Sequence, residues 1–263
     1  MTTVHTLASG SSGNAAVLSC GDTHLLLDAG ISCRRITTAL NALGLSPELL
    51  SAILITHTHS DHISGLRTLL KKTDCPILAT PRTCRELRYR LEETDGRLIQ
   101  LEAPVQVGAV SITPIITSHD APGSCGWRLD TGDGSVGFLT DTGYVTEEAA
   151  DLLPGVDLAI LEANHDVDLL QNGPYPYYLK ERILSDQGHL SNETAAAFAA
   201  AMARQGTEEF VLAHLSAENN TPERALSAVR WALADAGFDL PLEAAPRSGL
   251  SRRYGREVPV CSE

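Results

Sequence analysis

The fold is decided by the segment Ile53-Leu-Ile-Thr-His57-Thr-His59-Ser-Asp61-His62, in which four residues of the kind that bind metals follow a short apolar run. The apolar run predicts a buried β-strand. Because residues i and i+2 of an extended chain point the same way, His57 and His59 can bind one ion. The turn that follows carries Asp61 and His62 towards a second ion. The spacing therefore predicts a dinuclear metal site at the end of a strand.

Other candidate ligands also stand at the C-terminal ends of strand-like runs, where loops build sites on a rigid scaffold. They are His119 in Thr-Ser-His-Asp, Asp141 in Leu-Thr-Asp-Thr-Gly and His214 in Leu-Ala-His-Leu-Ser. Any one of these histidines alone would more often be a buried residue with ordinary hydrogen bonds. Together they predict a site of imidazoles and carboxylates, which suits zinc, manganese or iron. Asp141 could bridge two ions about 3.5 to 4 Å apart.

Composition places the chain among ordinary globular proteins. Of its 263 residues, 43% are hydrophobic and 20% charged, which is enough for a sizeable core. No apolar stretch approaches the roughly 18 residues of a membrane span, and the start MTTVHTLASGSSGN does not resemble a signal peptide. Six scattered cysteines without a CxxC pair indicate buried thiols in a reducing compartment. We therefore expect a cytoplasmic protein without a membrane partner. The cysteines are Cys20, Cys33, Cys75, Cys84, Cys125 and Cys261.

The net charge of −13 argues against indiscriminate binding of nucleic acid, because phosphates repel an acidic surface. The charge is unevenly distributed, however. Residues 67–90 hold seven basic residues against two acidic ones, a local excess of +5. From Arg247 onwards, four arginines stand against two glutamates, a local excess of +2. These two segments are where a polyanion could bind.

Strand-like and helical segments are mixed through both halves of the chain, which predicts an α/β or α+β fold of sheets covered by helices. No low-complexity segment or linker interrupts them, so we expect one domain over residues 1–263. Thr80 before Pro81, and Ser191 before a run of alanines, are helix-start signals. The strand-like runs cover residues 4–9, 15–20, 24–30, 52–57, 110–119, 136–141, 158–163 and 210–216. The helical patterns cover residues 34–43, 64–72, 81–93, 147–153, 178–185, 191–204 and 222–236.

From the Asp28-Ala-Gly turn to His214, these segments resemble the metallo-β-lactamase superfamily. The resemblance implies an αββα sandwich of two mixed β-sheets. It also implies that Asp28, in Leu-Leu-Leu-Asp-Ala-Gly, orients a ligand through a hydrogen bond, although taken alone it could be a plain turn aspartate. The implied ligands are His57, His59 and His119 for the first metal, Asp61, His62 and His214 for the second, with Asp141 bridging.

The segment Ser-Asp-Gln-Gly-His189-Leu-Ser-Asn-Glu-Thr places a further histidine just before a helix. It resembles an element of the superfamily's phosphodiesterases, including transfer-RNA-processing nucleases, in which this histidine protonates the leaving oxygen. Glu162, ending a strand-like run, resembles the glutamate that orients it. A sugar alkoxide must be protonated or held by a metal as it leaves, whereas a thiolate leaves readily. His189 could otherwise be an N-terminal helix partner near Ser191. The expected catalytic residues are Asp61, Glu162 and His189.

Six segments are similar to one bacterial group of small superfamily members, the YycJ or WalJ proteins, a group associated with exonuclease action on DNA ends. The resemblance implies a dinuclear metal-dependent phosphodiesterase on nucleic acid, foremost a DNA exonuclease with the 5′ end as a candidate start, and DNA or RNA as its partner. The alternatives are a glyoxalase II-like thioesterase or a lactonase, a non-catalytic nucleic-acid-binding module, and a redox protein. The six segments are LASGSSGN, HTHSDHISGL, TDTGYV, LEANHD, GHLSNETAA and LAHLSAENN.

Three groups of residues carry weaker expectations. A Gly/Ser loop after the first strand could hold a terminal phosphate or simply form a tight turn. One face of the helix from residue 81 could bind phosphates and a base, or be solvated surface. Two residues beside the strand ends could support the metal ligands or merely belong to loops. The residues are, in that order, Ser11, Ser12 and Asn14; Arg82, Arg85 and Tyr89; and Asp120 and His165.

Overall fold

Two mixed β-sheets lie at the centre of residues 1–254, the part of the chain that the computed structural model describes. The tail charges from Arg256 onwards and the thiol of Cys261 lie outside the described residues. The first sheet consists of β1 Thr2–Ala8, β2 Ala15–Cys20, β3 Thr23–Leu27, β4 Ala52–Leu54, β5 Ile77–Ala79 and β6 Leu98–Gln100, in this order. The second consists of β7 Val105–Val107, β8 Val110–Ile116, β9 Cys125–Thr131, β10 Gly134–Leu139, β11 Leu158–Glu162, β12 Glu209–Ala213 and β13 Leu242–Ala244, also in this order.

The directions of the strands bring the candidate ligands together. In the first sheet β1 to β3 are antiparallel and β3 to β6 parallel. Strands β3 and β4 therefore end at the same edge, where Asp28 and His57 follow them. In the second sheet β7 to β10 are antiparallel and β10 to β13 parallel, so that β8, β10, β11 and β12 run in one direction. The candidate residues that follow or end these four strands are His119, Asp141, Glu162 and His214.

The two sheets pack face to face over a central apolar core. Successive residues of a strand point to opposite faces of its sheet. In β3, Leu25 lies in the core between the sheets, whereas Leu26 lies on the outer face. In β12, Val211 lies between the sheets and Leu212 on the outer face. Because both faces of each sheet are covered, central strands such as β4 (AIL) and β11 (LAILE) read as nearly unbroken apolar runs.

Helices cover the outer face of each sheet. Ile36 and Leu87, on helices α1 and α4 below, pack against the first sheet, and Phe198 and Val229, on α8 and α9, against the second. The layers are thus helix, sheet, sheet and helix, which confirms the predicted sandwich. The helices are α1 Cys33–Ala42, α2 Ser60–Ile63, α3 Leu66–Leu69, α4 Pro81–Arg90, α5 Glu147–Leu152, α6 Val167–Asn172, α7 Tyr177–Leu184, α8 Asn192–Arg204 and α9 Pro222–Asp235.

All eight predicted strands are present, and five further strands are not predicted by the sequence. Strands β5, β6, β7 and β13 have three residues each, too few for an alternating pattern, and Gly126 interrupts the pattern of β9. The single helix predicted over residues 64–72 is wrong, because the ligand segment itself forms α2 and only residues 66–69 form α3. The predicted helix starts are confirmed. The hydroxyls of Thr80 and Ser191 accept from the amides of Thr83 and Thr194.

The remaining predictions about the whole chain have different outcomes. The five cysteines among the described residues are buried and free, as expected. None of the helices described is long and apolar enough to cross a membrane. A single domain over residues 1–263 stays a prediction.

Candidate metal centre

Three candidate site residues adopt a left-handed backbone conformation just after their strands. The angle φ is +58° at Asp28, +59° at Asp141 and +55° at His214. Residues other than glycine rarely adopt positive φ, and those that do cluster at functional sites, where the surrounding structure holds them in place. All three side chains are buried. The strand ends are therefore shaped to place these side chains, at some cost in backbone strain.

The first group of candidate ligands is the one predicted for the first metal. His57, His59 and His119 offer nitrogen atoms that all lie within 4.8 Å of one another. His59 Nδ1 is 3.3 Å from His119 Nε2. Nδ1 of His119 is 3.1 Å from the carbonyl oxygen of Gly188, to which it donates, so its Nε2 is the nitrogen left for a cation. This group can hold one ion through three imidazoles.

The second group is the one predicted for the second metal. Asp61, His62 and His214 also offer atoms within 4.8 Å of one another. His62 Nδ1 donates to Asp28 at 2.7 Å, and Asp28 also accepts from the backbone amide and the hydroxyl of Thr56. Asp28 therefore orients His62 so that its Nε2 faces the cluster. The residue is placed to do what the resemblance implies.

The carboxylate of Asp141 lies between the two groups. Its Oδ2 is 3.3 Å from His62 Nε2, and its Oδ1 is 3.6 Å from His214 Nε2 and 3.8 Å from His119 Nε2. One carboxylate thus reaches ligands of both groups. This is the arrangement that a bridging ligand needs.

The chemistry of the cluster fits divalent cations. Nε2 of His57, Nε2 of His214 and Oδ2 of Asp141 are buried and form no hydrogen bond with any described residue. Burial and the neighbouring imidazoles lower the pKa of His57, which keeps it neutral, as a ligand must be. Burial alone would lower the pKa of His62, but Asp141 and Asp28 outweigh it and raise the pKa to about 9. The carboxylates therefore favour a positive charge at His62, and a bound cation would supply that charge in place of the proton.

Glu162 holds two histidines at once. The side chain is fully buried, and its Oε1 accepts from His189 Nδ1 at 2.8 Å and from His214 Nδ1 at 2.9 Å. Its Oε2 accepts from the backbone amides of Thr142 and Leu190. Burial raises the pKa of this carboxyl, but the two histidines outweigh burial and hold the pKa well below its usual range. Glu162 lies where the resemblance puts it, and its contact with His214 is an addition that sequence reasoning missed.

His189 lies at the border of the cluster and is 19% exposed. Its Nδ1 is 3.7 Å from Asp141 Oδ1. Together with Asp141, Glu162 and His214, His189 also offers an atom within ligand distance of the others. Geometry alone therefore allows His189 to be a ligand as well as a proton donor, and its role stays a prediction.

A cavity of 240 Å³ opens over the cluster. Ser11 and Ser216 line one side of it, and Tyr175, Leu179 and Ile183 form an apolar wall from α7 and the loop before it. Sequence reasoning missed this wall. Tyr177 and Tyr178 are exposed and do not line the cavity, so no local pattern in this segment signals the wall.

The weaker predictions have mixed outcomes. Asp120 Oδ1 is 3.4 Å from His59 Nε2 and its Oδ2 accepts from Arg182 Nε, so Asp120 contacts a candidate ligand, and its supporting role stays a prediction. His165 is buried, but its ring nitrogens form no hydrogen bond with any described residue and do not line the cavity. A supporting contact to a ligand is thus not seen for His165.

The prediction for the Gly/Ser loop is wrong for one of its three residues. Ser11 lines the cavity and Ser12 is exposed, so both can meet a substrate. Asn14, however, is only 5% exposed, and its amide nitrogen lies 3.1 Å from His62 Nε2 and 3.4 Å from the carbonyl oxygen of Asp61. Asn14 therefore braces the ligand turn instead of facing a nucleic acid.

The face of α4 is exposed, but only part of it lines a cavity. Arg82 and Arg85 line surface cavities, whereas Tyr89, 91% exposed, lines none of those described. The predicted contact between Tyr89 and a base has no cavity to support it.

Fold and cluster together define a class of protein, the metal-dependent hydrolases of the metallo-β-lactamase fold. The chain belongs to the beta-lactamase superfamily, since a family profile described as Beta-lactamase superfamily domain matches residues 23–215.

The chain is also similar to particular proteins. It is 40% identical over 224 residues to exodeoxyribonuclease WalJ of Streptococcus pneumoniae, covering 83% of each chain, and 36% identical over 235 residues to exodeoxyribonuclease YycJ of Bacillus anthracis, covering 88% of this chain and 89% of that one. These matches confirm the predicted group. The crystal structure of the metallo-beta-lactamase fold protein YhfI from Bacillus subtilis covers 96% of this chain and 100% of its own, with a TM-score of 0.74 and 17% identity. That likeness shows the fold alone.

Proposed function

We propose that the chain is an exodeoxyribonuclease that works with two divalent cations. Two relatives that align over most of their length carry that name. Zinc and manganese suit a site of imidazoles and carboxylates, and iron is a third candidate. The proposed ligands are His57, His59 and His119 for one cation, Asp61, His62 and His214 for the other, and Asp141 for both.

The observation that carries the proposal is the pair of Glu162 and His189 beside the cluster. Nδ1 of His189 donates to Glu162, so Nε2 is the nitrogen that can carry a proton to the departing oxygen. Glu162 stabilises the protonated imidazole and afterwards keeps the neutral ring in the same orientation. The bound cations would activate a water molecule and neutralise charge on the phosphate. Hydrolysis of a thioester does not need this proton donor, because a thiolate leaves readily.

The test is a substrate panel. The metal-loaded protein is incubated with end-labelled single-stranded and duplex DNA and RNA, with and without a 5′-phosphate, and separately with a thioester and a lactone. We expect mononucleotides from DNA ends, and none from a His59→Ala variant assayed in parallel. Release of internal fragments would indicate endonuclease instead of exonuclease action. Hydrolysis of the thioester or the lactone, with both nucleic acids intact, would overturn the proposal.

We also propose a cytoplasmic location. The five described cysteines are free and buried, which fits a compartment that keeps thiols reduced.

A further inference from the structure

The cavity over the metal cluster adjoins two further cavities on the surface. The second, of 620 Å³, shares His119 and Gln187 with the first. The third, of 470 Å³, shares Arg82 and Gly123 with the second and is also lined by Arg85. The three cavities thus form a path from the metal cluster to the start of α4. We name the second and third cavities together the arginine groove.

The arginine groove is held in a fixed position relative to the metal cluster. The loop 117–124 carries His119 and forms the floor of the second cavity. Its Gly123 carbonyl accepts from the hydroxyls of Thr80 and Thr83 at the start of α4. Gly123 has φ +78°, and a Cβ atom there would lie 2.6 Å from Arg82 Cβ. The start of α4 and the loop with the candidate ligand are therefore in close contact, which fixes the backbone of Arg82 relative to the site.

The two arginines of the groove are available for an anion. Both side chains are exposed, and neither forms an ion pair or hydrogen bond within the described residues 1–254. Glu102 and Glu148 also line the third cavity, but Glu148 is occupied by the backbone amide of Ile116 at 2.9 Å. A guanidinium without a carboxylate partner is the side chain best suited to bind a phosphate through two hydrogen bonds. In a chain of net charge −13, such unpaired cations beside the active site indicate a polyanion.

We propose that the arginine groove binds the part of a single nucleic-acid strand that continues from the scissile phosphate, with Arg82 and then Arg85 contacting successive phosphates. The inference rests on the function proposed above. Cavities of 240, 620 and 470 Å³ in series suit the sugar-phosphate units of one strand, whereas a duplex would lie outside them. Cleavage of a duplex end then requires that its last nucleotides separate before they enter.

The test compares the Arg82→Ala/Arg85→Ala variant with Arg88→Ala, a matched control on the same helix that lines none of the three cavities. Substrates are a thymidine 12-mer and bis(4-nitrophenyl) phosphate, which is too short to reach the groove. For the 12-mer we expect KM to rise about 10- to 100-fold with little change in kcat, since the contacts are made equally in the ground and transition states. The slope of log affinity against log salt should flatten by about 1.4, or about 0.7 for each lost phosphate contact. The double variant should cleave the small diester with a kcat/KM within about twofold of the wild-type value. The Arg88→Ala variant should stay within about twofold of the wild type on both substrates.

Binding of a fluorescent 12-mer to the metal-depleted protein separates the two proposals. If the wild type binds the 12-mer through these arginines but cleaves no nucleic acid, the proposed function fails and the groove stands. If the double variant keeps the wild-type KM, affinity and salt slope, the groove proposal fails while the nuclease stands. An equal loss on the small diester would mean that the arginines support the metal cluster, which also overturns the groove.

Discussion

At the scale of single residues, the central feature is that one carboxylate serves two histidines with different roles. Glu162 accepts from Nδ1 of both His189 and His214 through the same oxygen. It therefore fixes the tautomer of a candidate ligand and of a candidate proton donor together. Its own charge is stabilised by the two histidines and by two backbone amides, which together outweigh the effect of burial. This coupling separates the expected effects of changing Glu162 and His189.

Replacing His189 by alanine should leave the metal content intact, because His189 is not one of the seven proposed ligands. Turnover of an ordinary phosphodiester should fall by about 10² to 10⁴, the usual range for the loss of a positioned proton donor. An aryl phosphodiester, whose phenolate leaves without protonation, should be cleaved nearly as fast as by the wild type. Equal losses on both substrates would assign His189 to positioning, and a loss of metal would make it a ligand.

Replacing Glu162 by glutamine should weaken metal binding as well as catalysis. An amide oxygen is a weaker acceptor than a carboxylate, so His214 loses its orientation together with His189. Affinity for the cation at His214 should fall about 10- to 100-fold, as for other partners of metal-bound histidines. Competition with a chelating dye measures this, with His189→Ala as the comparison. Unchanged affinity in the Glu162→Gln variant would show that the contact with His214 is not used.

Burial lowers the pKa of His165 to about 4, whereas its ordinary value is 6.5. Between pH 6.5 and 4 the unfolded chain therefore takes up a proton that the folded chain does not. The free energy of unfolding consequently falls as pH falls through this window, and His165 has no such effect above it. Replacing His165 by phenylalanine should reduce the decrease in the free energy of unfolding between pH 7 and pH 4 by about 3 kcal/mol. Urea unfolding at pH 7 and pH 4 measures the difference between variant and wild type. A difference that is the same at both pH values would contradict the buried neutral histidine.

At the scale of structural elements, the ends of the strands explain why much of the site could be predicted. Candidate ligands follow the apolar runs of β8, β10 and β12, and because these strands run in one direction, His119, Asp141 and His214 lie at one edge of the second sheet. The inward orientation of Asn14 and the wall that α7 forms could not be predicted. Both depend on contacts between residues far apart in the chain, such as Asn14 with His62, which no local pattern encodes. Strands β5, β6, β7 and β13 escaped prediction for a different reason, since they are too short to show a period.

The turn that carries Asp61 should be sensitive to one added methyl group. A Cβ atom at Gly30 would overlap the carbonyl group of Asp61, whereas at Gly132 it would meet nothing within 4 Å. Gly30→Ala should therefore lower the free energy of unfolding by about 1 to 3 kcal/mol and weaken metal binding, since the ligand turn must shift. Gly132→Ala is the control and should do neither. Thermal unfolding with and without metal measures both effects, and an unperturbed Gly30→Ala variant would contradict this packing.

At the scale of the whole molecule, the metal cluster joins the two sheets. The segment after β4 contributes His57, His59, Asp61 and His62, and the second sheet contributes His119, Asp141 and His214. Bound cations would therefore connect the two sheets, and any ligand that binds only the folded state stabilises it. The acidic surface with its basic segment at residues 67–90 then limits where a nucleic acid can approach.

Activity as a function of metal content tests this account most directly. Metal-depleted protein is titrated with manganese or zinc while the release of mononucleotides from end-labelled single-stranded DNA is followed. Because the seven proposed ligands form two groups with a shared carboxylate, we expect activity to rise until two equivalents are bound and then to level off. Full nuclease activity at one equivalent, or activity that persists in the metal-depleted protein, would contradict a two-metal nuclease.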